Sequence, residues 1–411
     1  MRAILRPHRT LRLIVASLLV AMQLLSVGCA SSQRAHRAGA YFPPRGEWQR
    51  RSPAQVGMDS AKLAEAVQFA QSRDATWDFG RDQVRTFGRP LGPVPEKRAA
   101  TNGIIIRRGY IVATFGDTKA SDPVYSVAKS FLSTVAALAV DRRLIRNVNE
   151  PVANYIRDGG YDTPHNRLVT WKQHLQQASE WEGSIWGKSS DFIGSAEFGA
   201  GERKPRVIQP PGSFYEYNDV RINRFALSLL RLFGIGLPDV LKTGIMDPIG
   251  ASSDWRWVPY DNSQVDVNGR IIGSVSGGTR WGAGLWMNSE DLARFGLLAL
   301  NRGKWGDRQI VSEKWYGQAL APSEHGPDYG YLWWLNTKGQ QWPSAPASSF
   351  AALGNGSNTI WIDPEHDIVV VWHWHRGGMD GLIQRILAAV VDGQSALDRR
   401  VNSTNNRQAG G

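Results

Sequence analysis

A serine and a lysine three residues apart on a helix share a face, so the amine can reach the hydroxyl. The chain contains one such pair, Ser126-Val127-Ala128-Lys129, between Val124-Tyr125 and Ser130-Phe131. The run SVAKSFLSTVAALAVDRRLI is small and apolar on all sides, which predicts a buried helix starting at Ser126. A hydroxyl there lies among free backbone N–H groups and the positive end of the helix dipole, where developing negative charge is favoured. A lysine acts as a base only if its pKa falls from about 10.4 toward 7, a change of roughly 4 to 5 kcal/mol that burial or a neighbouring cation supplies. The bland reading of the same four letters is a capping serine beside a snorkelling lysine.

Two further segments carry groups that suit acyl transfer. In Pro211-Gly212-Ser213-Phe214-Tyr215-Glu216-Tyr217-Asn218-Asp219 a turn delivers a tyrosine followed by polar side chains, and Tyr217 can shuttle a proton between Ser126, Lys129 and a leaving group. In Ala352-Leu353-Gly354-Asn355-Gly356-Ser357-Asn358 small residues let a substrate backbone lie against a strand edge. A backbone N–H there can complete an oxyanion hole with that of Ser126. Each segment alone reads equally well as a surface loop or a glycine-rich start of a strand. No Gly-x-Ser-x-Gly, P-loop or dinucleotide glycine fingerprint occurs.

In this order and spacing the three segments resemble the penicillin-recognising serine hydrolases: class C β-lactamases, DD-peptidases and the related esterases and amidases. The likeness runs from about residue 50 to 395 and includes Val169-Thr170-Trp171-Lys172-Gln173-His174-Leu175, Trp281-Gly282-Ala283-Gly284-Leu285-Trp286 and Asp291-Leu292-Ala293-Arg294-Phe295-Gly296-Leu297-Leu298. It is nearest the branch of esterases and 6-aminohexanoate-dimer-type amidases. The resemblance implies Ser126 as the acylated nucleophile, Lys129 as its base and Tyr217 as the tyrosine of the Tyr-x-Asn motif, with Tyr215 the alternative should the register differ. The Asn place of that motif holds Asp219, which would repel a carboxylate-bearing substrate and could hold Lys129 protonated. Ala352-Leu353-Gly354 stands where Lys-Thr-Gly greets the β-lactam carboxylate, which argues against an efficient β-lactamase or DD-peptidase. Asn355 then supplies the second oxyanion N–H beside that of Ser126. Trp181 and Trp186 fall in the loop that, by resemblance, lies over the cleft, where they are candidates for an apolar acyl pocket. No metal and no cofactor is implied.

The elements that must position these groups are legible in outline. Asp59 caps a helix through Gln71, and Arg108-Gly109 joins strands over 103–107 and 110–115. Helices are expected from Ser289 to Leu300 and over 381–391, and a second hairpin pairs 358–362 with 368–372 about a DPEHD turn. The fold class expected is α/β (α+β): an antiparallel sheet from both termini, flanked by helices, with a mainly helical lobe over about 140–270. Trp372-His373-Trp374-His375 would place both histidines on one side of a strand, with His375 near the site mouth. That spacing can bind zinc, but no third ligand cluster is evident.

Composition fits an ordinary globular protein: 42% hydrophobic and 21% charged, with 17 tryptophans and one cysteine. One cysteine excludes a disulfide framework. The formal charge of +11 includes four arginines (Arg2, Arg6, Arg9, Arg12) ahead of an apolar run from Leu13 to Leu25 and Ser26-Val27-Gly28-Cys29. That stretch resembles a bacterial lipoprotein signal over 1–28, with Cys29 lipidated and 29–45 a tether, although Ser26 replaces the usual leucine. The hydrolase domain is then 46–397 and a polar tail covers 398–411. The partners expected are a small ester or amide substrate and a membrane through the lipid. Location is the envelope, at the periplasmic face of the outer membrane by the sorting resemblance of Ala30. Basic tracts with interleaved aromatics are absent, which speaks against nucleic acid. Rival readings are a peptidoglycan DD-peptidase or weak β-lactamase, and a non-catalytic envelope lipoprotein that keeps the fold for binding.

Overall fold

Strand pairing between the two ends of the chain organises the molecule. The computed structural model describes residues 41–190 and 206–391. The signal segment, Cys29, most of the tether and the polar tail lie outside the described residues. In chain order the strands are β1 (Asn102–Arg107), β2 (Tyr110–Phe115), β3 (Asp122–Pro123), β4 (Ser184–Ile185), β5 (Lys188–Ser189), β6 (Arg256–Val267) and β7 (Arg270–Val275). They continue as β8 (Gly284–Met287), β9 (Lys304–Trp305), β10 (Arg308–Gln309), β11 (Trp334–Leu335), β12 (Phe350–Gly354), β13 (Asn358–Asp363) and β14 (Ile368–His373). Among the described residues the helices of ten residues or more are α1 (Ser60–Gln71), α2 (Ala128–Asp141), α3 (Asp219–Phe233), α4 (Ser289–Leu300) and α5 (Met379–Ala388).

The main sheet is antiparallel in the order β11-β12-β13-β14-β1-β2, so the last strands of the chain pair directly with the first. Arg108 and Gly109 both take positive φ (52° and 84°), the two-residue turn whose twist matches that of the strands it joins. Strands β1, β13 and β14 are buried along their whole length. Their alternate residues serve two cores, as a period of two requires. Ile105, Trp361, Val370 and Trp372 pack with Leu63, Ala66, Leu382 and Ile386 of α1 and α5. Ile104, Ile106, Ile360, Val369 and Val371 face the opposite core, which holds α2 and α4. The rings of Phe131 and Phe295 stack 3.7 Å apart between those two helices. Gly296 lets α4 approach the sheet, since a Cβ there would meet Val369 Cγ1 at 2.6 Å. Trp171, Trp281, Trp333, Trp361, Trp372 and Trp374 are all fully buried, so core packing accounts for much of the tryptophan content.

The architecture has the expected antiparallel sheet built from both ends of the chain and flanked by helices, with a difference in its middle. The region expected to be mainly helical contains α3 and several short helical turns, but it ends in the paired strands β6 and β7. These join β3 and β8 in a second sheet ordered β3-β8-β6-β7. Asn268 and Gly269, at φ 55° and 78°, form the tight turn of that hairpin.

Candidate active site

Ser126 lies in a single 3₁₀ turn (Tyr125–Val127) that leads straight into α2. The turn is set by its first residue. Tyr125 sits at φ 49°, a backbone position costly for a bulky side chain. Its ring is held among Trp77, Phe79, Phe87 and Trp374, with centroids 6.0 to 6.5 Å away, and its hydroxyl donates to Gln83 Oε1 at 2.8 Å. Burial in that cage pushes the Tyr125 phenol far up, so it is neutral at every working pH.

One turn on, Lys129 is 1% exposed, and its Nζ donates to Ser126 Oγ at 2.9 Å and to Asp219 Oδ1 at 2.5 Å. Asp219 is the first residue of α3, and the Asn218 Oδ1 cap accepts from the Arg221 amide at 2.9 Å. The cap is itself fixed: the Asn218 amide donates to Gln177 Oε1 at 2.9 Å, and its Nδ2 donates to the Ser190 carbonyl at 2.9 Å. Arg280 NH1 reaches the other carboxylate oxygen of Asp219 at 3.4 Å. Burial pushes the Asp219 carboxyl up, but the charges of Lys129 and Arg280 outweigh it and hold the group below its ordinary value. The acid in the Asn place therefore forms a direct ion pair with the lysine.

The ring of Tyr217 lies over the ammonium, its centroid 4.7 Å from Lys129 Nζ. Trp334 stacks with that ring at 5.8 Å, and Tyr329 meets it edge-on at 6.1 Å. Burial pushes nearby Tyr260 up to about 12 and Tyr329 well above its ordinary range.

The edge of β12 passes directly beside the turn that carries Ser126. A Cβ on Gly354 would run into the Val124 carbonyl oxygen and stand 3.1 Å from the Ser126 nitrogen. Only a residue without a side chain fits there, and Asn355 follows at the start of a short 3₁₀ turn. The structure thus brings Ser126, Lys129, Asp219, Tyr217 and the Gly354-Asn355 edge into one cluster.

Other candidates fall elsewhere. Trp181 is 3% exposed and bonds the Gly160 carbonyl through Nε1 at 2.7 Å, so it is a core residue rather than a wall of an open pocket. Trp186 is half-buried in the turn between β4 and β5, where its carbonyl accepts from Asn262 Nδ2 at 3.1 Å. Tyr215 packs against Tyr329 at 5.6 Å and lines a polar cavity of about 430 Å³ with Gln173 and His325. His375 does not stand at an open mouth: it is 3% exposed and stacked on Trp372 at 3.8 Å. The expected alternation fails because β14 ends at His373 and Trp374 turns to φ 56°. His373 Nδ1 then meets Asn358 Oδ1 at 2.8 Å and His375 Nε2 meets Thr359 Oγ1 at 3.3 Å. Burial pushes these imidazoles down to about 3 and about 4, which keeps both neutral. Among the described residues no group of three or more His, Cys, Asp or Glu side chains is placed to hold a metal ion.

Sequence reasoning misses three contributors: Arg280, the Trp334–Tyr329 pair and Gly278. A Cβ on Gly278 would lie 3.3 Å from both Lys129 Nζ and Asp219 Oδ1, and 3.5 Å from Ser126 Oγ. The glycine pair Gly277-Gly278 just before Arg280 is the one local signal of so close an approach.

Comparison with known proteins supports the family and the fold. The family described as Beta-lactamase matches residues 121–392. A structure named for a 6-aminohexanoate-dimer hydrolase from Bacillus anthracis is similar at 14% identity and TM-score 0.54, over 87% of this chain and 90% of that one. EstCE1, described as a hydrolase with promiscuous acyltransferase activity, is similar at 14% identity and TM-score 0.54, over 80% and 99% of the two chains. A penicillin-binding protein homologue from Caulobacter crescentus matches at 15% identity and TM-score 0.53, over 80% and 97%.

Proposed function

The chain belongs to the Beta-lactamase family, and from that premise we propose that it is a serine hydrolase cleaving esters or amides of small substrates through an acyl-enzyme on Ser126. The observation that carries this reading is the 2.9 Å contact between the buried Lys129 amine and the hydroxyl of Ser126, at the start of a helix and beside a strand edge.

Once the Lys129 ammonium has released a proton to solvent, its amine takes the Ser126 proton as Oγ bonds to the substrate carbonyl carbon, helped by Tyr217. The carbonyl oxygen becomes an oxyanion between the backbone N–H groups of Ser126 and Asn355. When the tetrahedral intermediate collapses, the bond to the leaving alcohol or amine breaks, and that group takes the proton back from Lys129 or Tyr217. Water then attacks the Ser126 ester by the same route, releasing the acid and restoring the hydroxyl.

Esters are the favoured class. Ala352-Leu353-Gly354 offers no cation where a carboxylate-bearing substrate would meet one, and aromatic rings of Tyr217, Tyr329 and Trp334 flank the cluster. Intact mass after incubation with a fluorophosphonate, followed by peptide mapping, tests the reading. A single adduct on Ser126 that is absent in Lys129→Ala supports it, and an adduct on any other serine sinks it. A faster rate on D-Ala-D-Ala peptides than on short esters would instead favour the peptidase assignment. The envelope location is proposed on the signal resemblance alone. Fatty-acid labelling that survives in Cys29→Ser would overturn the lipid anchor.

A further inference from the structure

Arg280 lies outside the family motifs, yet it closes the charge balance of the site. Its guanidinium is 4% exposed and meets Asp219 at the oxygen that Lys129 leaves open. The residue is also tied to the nucleophile turn. Its carbonyl accepts from Gln83 Nε2 at 2.7 Å, and Gln83 Oε1 accepts from the hydroxyl of Tyr125 at 2.8 Å. The guanidinium carbon lies 5.4 Å from the ring centre of Phe87 and 5.6 Å from that of Trp281. A planar, always-charged group is therefore held in one place.

A serine–lysine pair needs its lysine to alternate between two charge states. Were Asp219 its only partner, removing the proton from Lys129 would strand a buried carboxylate with no counter-charge, which is costly. With Arg280 on the second oxygen, the carboxylate stays paired whether or not Lys129 carries a proton. We propose that Arg280 is a positioning residue that balances Asp219, so that Lys129 can exchange a proton with Ser126 without leaving a buried anion unpaired. This rests on the serine-hydrolase reading above. The other groups facing the cluster are the phenols of Tyr217, Tyr260 and Tyr329, and Lys188 of β5, which acts on Arg280. Tyr260 and Tyr329 stay protonated across the working range, and Lys188 adds positive charge in the same sense as Arg280.

The test is the pH dependence of kcat/KM on a p-nitrophenyl ester, with the rate of fluorophosphonate labelling at Ser126, in the full chain and its Arg280→Gln and Arg280→Lys variants. Labelling counts only folded sites, so a partly unfolded variant is still read. In Arg280→Gln the acid limb of both profiles is expected to move to higher pH by about one unit. The rate near neutrality is expected to fall about tenfold, with KM little changed. Arg280→Lys, which keeps the charge, should move the limb less than half as far. A uniform loss in Arg280→Gln with the limb in place would assign Arg280 a packing role only and overturn the proposal. Wild type that takes no label on Ser126 would overturn the serine-hydrolase reading, and this inference with it.

Discussion

Tyr217 presents the face of its ring to Lys129, with the ring centroid 4.7 Å from Nζ, and the same ring stacks with Trp334 at 5.8 Å. The tyrosine thus meets the cluster in two ways that chemistry can separate. Its π-face attracts the charged lysine, which favours the resting ion pair with Asp219. Its hydroxyl can carry a proton to the leaving group, and only that role is catalytic in the sense proposed.

Tyr217→Phe keeps the ring, the stacking on Trp334 and the attraction for the ammonium, and removes only the hydroxyl. If the hydroxyl moves a proton, kcat on short esters should fall about 10²- to 10⁴-fold while the thermal midpoint stays within a few degrees. Steady-state kinetics beside a melting curve decide it. A variant with near wild-type kcat would leave Lys129 alone as acid and base.

Gly278→Ala probes how tightly the trio is packed. The glycine is not among those at positive φ, so alanine meets no left-handed backbone penalty there. Its methyl group would stand 3.3 Å from Lys129 Nζ and Asp219 Oδ1, so each must give by a few tenths of an ångström. Displacement on that scale is expected to cost about tenfold or more in kcat/KM with little change in stability. Unchanged kinetics would show that the cluster relaxes freely.

What the sequence revealed of this site follows from how local each feature is. Ser126 and Lys129 are one helical turn apart, and the small, apolar run after them has no plausible place except a core. The β1–β2 and β13–β14 hairpins were equally legible, because their turns and buried strands are contiguous. Arg280 was not, since it reaches Asp219 across 61 positions and Thr279-Arg280-Trp281 has no periodicity to mark it. The β6–β7 hairpin carried a usable signal in Asn268-Gly269, but Pro259 and the polar stretch Asp261-Asn262-Ser263 make its first strand read as loop. The register shift between Pro259 and Gln264 is the structural counterpart of that irregularity. His375 shows the converse failure: extending a strand period two residues beyond His373, past the end of β14, sends the side chain to the wrong place.

A pH-dependent contribution to stability is expected at the β13–β14 turn, away from the reacting groups. There Asp363 Oδ2 lies 2.6 Å from His366 Nδ1, and Asp363 Oδ1 accepts the Glu365 amide at 2.8 Å. The hydrogen bond to Asp363 holds the imidazole above the ordinary histidine value, against partial desolvation. A group whose folded pKa is raised stabilises the protein in full below its unfolded value, near 6.5, and loses that contribution as pH rises through the folded value. The pair is partly solvated, so the effect is expected to be under about 1 kcal/mol. Melting of wild type and His366→Gln at about pH 5.5 and about pH 8.5 isolates it from other titrations. The wild-type advantage should be larger at the lower pH and shrink at the higher. An advantage that grew with pH would mean that the neutral imidazole, packed in the turn, is the form the fold prefers.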